Sequence, residues 1–268
     1  MTIAPSRELT EWTLGILTPG ICSVTLRDRS IDEVASTAAG AGLKGIEWGT
    51  DVHVHDLASA AHARTTTAAA GLSVLSLGSY YRAGTFGDFD AVVALAVELG
   101  APRIRIWAGS TASADADEVS WNAVVEDAQR VAELAADHGL TIGFEYHGGT
   151  LTDTPETTVD LLDRVARPNV GTYWQPAPGL TDQQALASLH TVLDRVVGVH
   201  CFSWWPFTER MPLTERKQLW QVVSDVLRCQ DRDVDVMLEF VADDDADNVI
   251  RDGAYLTYLA TGESPAWA

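Results

Sequence analysis

The sequence predicts an α/β fold, a single (β/α)8 TIM barrel, and three observations carry that prediction. Strand-like and helix-like segments alternate eight times along the 268 residues. No linker rich in Gly, Ser or Pro interrupts them. Polar side chains recur on the strand face opposite the large aliphatics, close to the strands' C-terminal ends. Strict alternation implies a parallel sheet, and eight repeats in this length favour a closed barrel over the runner-up, an open α/β sheet. A dinucleotide-binding sheet is set aside because no Gly-x-Gly-x-x-Gly turn follows an early strand. One domain over 1–268 is expected, with 1–11 as a loose lead-in.

The elements follow in order. Residues 12–18 read as the first strand, ended by a Pro19-Gly20 turn, and Ser30 with Glu33 forms a capping box for a helix over 31–42. Residues 45–49 form the second strand. A loop holding His53 and His55 follows, then a helix capped by Asp56, running to Ala70 and stopped by Gly71. The third strand spans 73–81, with Leu75 and Leu77 expected on one face and Ser76, Gly78 and Tyr80 on the other. A helix over 88–100 leads to the fourth strand, 103–109, where Ile104 and Ile106 oppose Arg103, Arg105 and Trp107. Between 113 and 139 lies an amphipathic helix with Val124, Ala128, Val131 and Leu134 in one stripe.

The fifth strand lies in 141–149, with Ile142, Phe144 and Tyr146 on one face and Gly143, Glu145 and His147 on the other; Gly148 and Gly149 close it. Pro155 opens a helix to Ala166. Residues 170–175 are the sixth strand, 182–196 a helix, 197–204 the seventh strand, and 214–230 a helix. Residues 234–241 form the eighth strand and 245–260 the last helix.

Composition narrows the function classes. A formal net charge of −20 disfavours a nucleic-acid partner, which needs a basic face. The three cysteines, Cys22, Cys201 and Cys229, give neither a disulfide framework nor a Cys-x-x-Cys knuckle, which fits a reducing compartment. No export signal or membrane-length apolar run is apparent, so a cytoplasmic protein without a membrane partner is expected.

The inward faces bring together Glu47, Ser76, Arg105, Glu145, His147, Gln175, His200 and Glu239. Lower barrel layers are expected to be branched and apolar, so a polar ring belongs at the C-terminal mouth, where barrels of this kind catalyse. Glu145, Gln175, His200 and Glu239 come from four consecutive strands and suit an octahedral divalent ion with positions left for water or substrate oxygens. The alternative is a salt-bridged plug between Arg105 and the carboxylates, without an ion.

These segments resemble the xylose isomerase-like TIM-barrel superfamily of sugar isomerases and epimerases, 2-keto-inositol dehydratase-like lyases and the endonuclease IV branch. The supporting residues are Ala41-Gly42-Leu43-Lys44-Gly45-Ile46-Glu47, Phe144-Glu145-Tyr146-His147, Asn169-Val170-Gly171 with Trp174-Gln175-Pro176, Val199-His200 and Leu238-Glu239-Phe240. The resemblance implies one manganese, magnesium or cobalt ion on Glu145, Gln175, His200 and Glu239. Gln175 departs from the Asp that ketose epimerases carry and should weaken the ion's hold. Pro178 stands where many members have a second His, which argues against several metals, as does the lack of the endonuclease branch's extra ligands.

By the same resemblance Glu145 and Glu239 are the candidate proton carriers of an enediolate mechanism. His147 is an orienter, a hydroxyl partner or an additional acid, and Arg105 holds either an oxyanion or Glu47. Tyr80, Arg82, Trp107, Trp204, Glu47 and His53 are the further candidates for substrate contact. Trp48 and Trp174 are expected to face the helices by parity. No Gly-rich phosphate cradle accompanies Arg82, so the substrate is expected to be an unphosphorylated carbohydrate.

Three functions stay open: a metal-dependent isomerase or epimerase of a ketose or keto-glycoside, a metal-dependent dehydratase or lyase on a keto-inositol or keto-sugar, and a non-catalytic sugar-binding barrel with a degenerate metal site. Similar barrels pair, so a homodimer is a further expectation.

Overall fold

The computed structural model describes residues 14–263. Eight parallel strands close into a barrel, each neighbouring its predecessor in the chain: β1 (Leu17–Cys22), β2 (Gly45–Gly49), β3 (Ser73–Arg82), β4 (Arg103–Trp107), β5 (Thr141–Phe144), β6 (Val170–Trp174), β7 (Val196–Cys201) and β8 (Val234–Leu238). Pairing of β1 with β8 completes the ring. Eight helices surround it: α1 (Ile31–Gly40), α2 (Leu57–Ala69), α3 (Phe89–Leu99), α4 (Glu118–Ala136), α5 (Pro155–Val165), α6 (Asp182–Val192), α7 (Lys217–Arg228) and α8 (Ala246–Thr261). The N-terminal lead-in and the first residues of the expected first strand lie outside the described residues. Among the described residues no helix is long and apolar enough to cross a membrane.

Local chemistry sets most boundaries. Ser30, Asp56 and Thr181 each accept from the backbone N–H three residues on, in complete capping boxes. Thr154 caps α5, whose first turn tolerates Pro155 because its missing N–H would have no helical partner. The main core lies between strands and helices, where Trp48 donates to Thr67 and Trp174 to Ser188, as the strand parity predicts.

The first strand departs from expectation. Pro19 and Gly20 form no turn but sit inside β1, paired with Val236 and Met237. Pro19 lacks a donor, yet its carbonyl accepts from Lys44 N at 2.7 Å, so the ladder continues through it. The third strand departs too. A register shift between β2 and β3 leaves Leu75 as an extra residue, so Leu75 turns into the barrel while Leu77 joins the outer core.

The lower interior is also not the branched, apolar filling expected. Tyr173 stands between Gly143 and Gly198, and a β-carbon on Gly198 would come within 2.8 Å of its ring. Arg103 donates from Nε to the Tyr173 hydroxyl at 3.0 Å and pairs with Asp235. Glycines thus make room for one large ring, and an ion pair closes the barrel beneath it.

Several elements end early. Glu145 and Glu239 lie just past β5 and β8, and Trp204 belongs to a short antiparallel hairpin of Ser203–Trp204 with Arg210–Met211 rather than to β7.

Candidate active site

Above Tyr173, the barrel mouth is built on Arg105. Its Nε donates to Glu47 Oε1 at 2.9 Å and its Nη1 to Glu145 Oε2, and all three side chains are buried. Gly78 makes this possible, since a β-carbon there would lie 2.8 Å from the guanidinium. Burial alone would lower the Arg105 pKa, but the Glu47 and Glu239 carboxylates outweigh it and raise the value. Burial likewise opposes the Glu47 charge, yet Arg105, His200 and Ser76 hold its pKa far below the usual carboxylate range. Ser76 supplies a 2.5 Å hydrogen bond to Glu47 Oε2. The Cys22 thiol beside this group is pushed up by burial first and by Glu47 next, which keeps it neutral.

His200 stands at the centre and is fully buried. Its Nδ1 lies 3.0 Å from Gln175 Oε1 and 3.4 Å from Glu239 Oε2. Its Nε2 faces Glu47 Oε1 at 3.5 Å and has no hydrogen-bond partner among the described residues. Glu145, His200 and Glu239 each bring a ligand-type atom within 4.8 Å of the others. Glu145 Oε1 makes no protein hydrogen bond among the described residues, because Arg105 engages only Oε2. Two carboxylates, an imidazole and an amide oxygen converging on one point are a donor set that fits a single divalent ion. Glu47 behind Nε2 is placed to favour the tautomer in which Nδ1 is free to bind an ion held by these groups.

A cavity of about 520 Å³ opens above this floor. Arg105, Glu145, Gln175 and Glu239 line its bottom, and Tyr80, Trp107, His147 and Trp204 are among its walls. Trp107 is stacked with His147 at 4.4 Å between ring centroids and with Tyr80 at 5.9 Å, and the Arg82 guanidinium sits 4.1 Å over it. His147 Nδ1 lies 2.7 Å from Gly148 O and donates to it, which leaves Nε2 outside that bond.

Residues 35–255 match the profile of the xylose isomerase-like TIM barrel family. The chain belongs to this family. It is 25% identical over 163 residues to a 3-dehydroshikimate dehydratase of Bacillus anthracis, a match spanning 56% of this chain and 58% of that protein. The fold is similar to the crystal structure of the probable 3-DHS dehydratase AsbF of Bacillus anthracis, with a TM-score of 0.76 and 20% identity over 90% of this chain and 98% of that one. It is also similar to the 3-keto-D-glucoside 4-epimerase YcjR of E. coli, with a TM-score of 0.72 and 15% identity over 90% and 99% of the two chains. D-allulose 3-epimerase from Methylomonas sp., solved with D-allulose, gives a TM-score of 0.67 and 14% identity over 92% and 99%.

In this xylose isomerase-like barrel, most of the sequence-derived candidates meet at one place. Four do not line the cavity, the first being His200, which is wholly buried within the floor. Glu47 lies beneath it as the partner of Arg105 and Ser76, and Arg82 covers Trp107 while donating to Gly109 O at 3.1 Å.

His53 is the correction. It is buried away from the cavity, donating from Nε2 to Arg29 O at 2.9 Å and taking a bond at Nδ1 from the Ser23 hydroxyl at 3.1 Å. Ser23 in turn accepts from Gly49 N, and Trp48 meets the imidazole edge-on. Burial lowers the His53 pKa, in keeping with a neutral ring that ties two loops together.

Strand parity missed Tyr146 and Asp153, both of which line the cavity, as do Phe202 and Phe240. Tyr146 lies beyond the end of β5, where alternation no longer governs direction, and burial holds its pKa up at about 12. Asp153 sits in the β5–α5 loop, where no periodic signal exists.

Proposed function

We propose that this protein is a divalent-metal-dependent enzyme that removes a proton beside the carbonyl of a small, unphosphorylated ketose or keto-glycoside and returns one, as an isomerase or epimerase. The observation that carries the reading is the convergence of Glu145, Gln175, His200 and Glu239 at the floor of a cavity large enough for one sugar. When bound, a divalent ion supplies Lewis-acid polarisation of the substrate's carbonyl and adjacent hydroxyl.

The chain's own residues do the rest. Glu145 is the base: Arg105 binds one of its oxygens, leaving the other to take a proton. Glu239, entering from β8, is the second proton carrier. His147, whose Nδ1 is turned to Gly148 O, holds a substrate hydroxyl at Nε2. Trp107 and Trp204 cover apolar faces of the sugar and exclude water. The similarity of known epimerases in fold supports this reading.

A second reading, elimination of water from a keto-sugar or keto-inositol, is favoured by the sequence match to a dehydratase. It uses the same base, with His147 in its protonated form giving its proton to the departing hydroxyl.

The test is proton exchange in D2O with Mn2+-loaded protein and a panel of ketoses and 3-dehydroshikimate. Deuterium at the carbon next to the carbonyl, lost at least ~100-fold in Glu145→Gln, is expected. Product mass separates epimer from dehydrated product. A protein that purifies without divalent metal, gains no thermal stability from Mn2+ or Mg2+ and exchanges no proton refutes the proposal.

A further inference from the structure

Five buried side-chain polar atoms lack a hydrogen-bond partner among the described residues: Trp107 Nε1, Asp153 Oδ1, His200 Nε2, Trp204 Nε1 and Arg232 Nε. Arg232 lies elsewhere, with its other nitrogens on the Leu193 and Asp194 carbonyls. His200 belongs to the floor already described. The remaining three all belong to residues that line the cavity above that floor, Asp153 also bordering the neighbouring cleft beside α5 and α6.

Such atoms are costly to leave unpaired, and a wall that gathers three of them is suited to an incoming hydrogen-bonding partner. Their polarity states what that partner is. The indole nitrogens are donors only, and an ionised carboxylate is an acceptor only. Asp153 is also fixed in direction: Ser113 N donates to Oδ2 at 3.0 Å, which commits that oxygen and leaves Oδ1 free. No Lys, Arg or His among the described residues pairs with Asp153. A phosphate or carboxylate brought to Oδ1 would meet like charge, whereas a hydroxyl can donate there and accept elsewhere.

We propose that Asp153 is a specificity-determining residue: it accepts a hydrogen bond from one hydroxyl of a neutral polyol substrate whose other oxygens take the indole N–H groups of Trp107 and Trp204. This deepens the function proposed above and rests on it for the placement of the substrate over the metal-ligand floor. The three residues come from the end of β4, the β5–α5 loop and the hairpin after β7, three separate parts of the cavity wall. A site built to bond a hydroxyl rejects the analogue lacking it far more strongly than an apolar wall rejects a misfit.

The test is calorimetric binding of D-fructose, its monodeoxy analogues, myo-inositol, methyl α-D-glucoside and inorganic phosphate to the full chain, with and without Mn2+. In Asp153→Asn the side-chain oxygen stays on Ser113 N and the amide turns its N–H groups to the cavity, reversing the polarity at this point. Polyol affinity is expected to fall about 10- to 100-fold, with Mn2+ affinity and melting temperature unchanged. One deoxy position should cost wild type that same factor and cost Asp153→Asn nothing. Trp204→Phe, which keeps the ring and loses the donor, should weaken the same ligands about 3- to 10-fold.

Equal polyol affinity in wild type and Asp153→Asn overturns the proposal. So does preference for phosphate, or failure of every polyol to bind wild type. Asp153-dependent polyol binding in a protein that takes no Mn2+ would refute the proposed function and leave this inference standing; Mn2+ binding with Asp153-independent polyol affinity would do the reverse.

Discussion

Arg105 donates from Nε to Glu47 Oε1 at 2.9 Å inside the barrel, where both side chains are buried. The pair is the support on which the cavity floor rests, since the same guanidinium also holds Glu145. Replacing Arg105 with Met leaves two carboxylates buried without their cation. A loss of about 3–5 kcal/mol in unfolding free energy is expected, read by urea denaturation. A change below 1 kcal/mol would show that the carboxylates find other partners.

The same pair sets an acid limit on stability. Glu47 has a folded-state pKa below its unfolded value of roughly 4.3, so its contribution is complete above the unfolded value and is lost as pH falls toward the folded one. The stability gap between wild type and Glu47→Gln should be widest near neutral pH and should shrink steadily below about pH 4. Urea unfolding at a series of pH values measures it, and a gap independent of pH would remove Glu47 from the linkage.

Gln175 brings an amide where a carboxylate would add charge to the ligand set. Gln175→Asp should tighten Mn2+ binding by about 10-fold or more, because affinity for a hard cation rises with ligand charge. Titration of the metal-free protein followed by calorimetry decides it. Unchanged affinity would mean that residue 175 does not face the ion.

His53 is expected to matter for stability alone. Its two buried hydrogen bonds tie the loop after β1 to the loop after β2, and His53→Ala should cost about 1–3 kcal/mol. Proton exchange by the folded variant should stay within about twofold of wild type, as expected of a residue outside the transition-state contacts. Lost exchange with an unchanged melting temperature would return His53 to the site.

Period-two alternation made much of this legible in the sequence. It turned Trp48 and Trp174 outward and Gln175 and His200 inward, and capping residues marked the helices that separate the strands. The rest depended on contacts distant in sequence. Pro19-Gly20 has the local chemistry of a turn, and pairing with β8 on one side and the β2 segment on the other keeps it extended. Leu75 turns inward because of a register shift that no single strand records. His53 looks like a loop residue near the mouth until Ser23 and Arg29 are seen to hold it. Asp153 belongs to no periodic segment, and its significance lies in an oxygen without a partner.

The floor and the wall of the cavity are held in different ways. Below, Glu47, Ser76, Arg105 and Glu145 are bonded to one another, so an exchange of any one strands a buried neighbour. Above, the unpaired atoms of Trp107, Asp153 and Trp204 answer to no other side chain among the described residues. A substitution at one of those wall atoms therefore breaks no hydrogen bond between side chains, whereas one in the floor unsettles every member of a buried network.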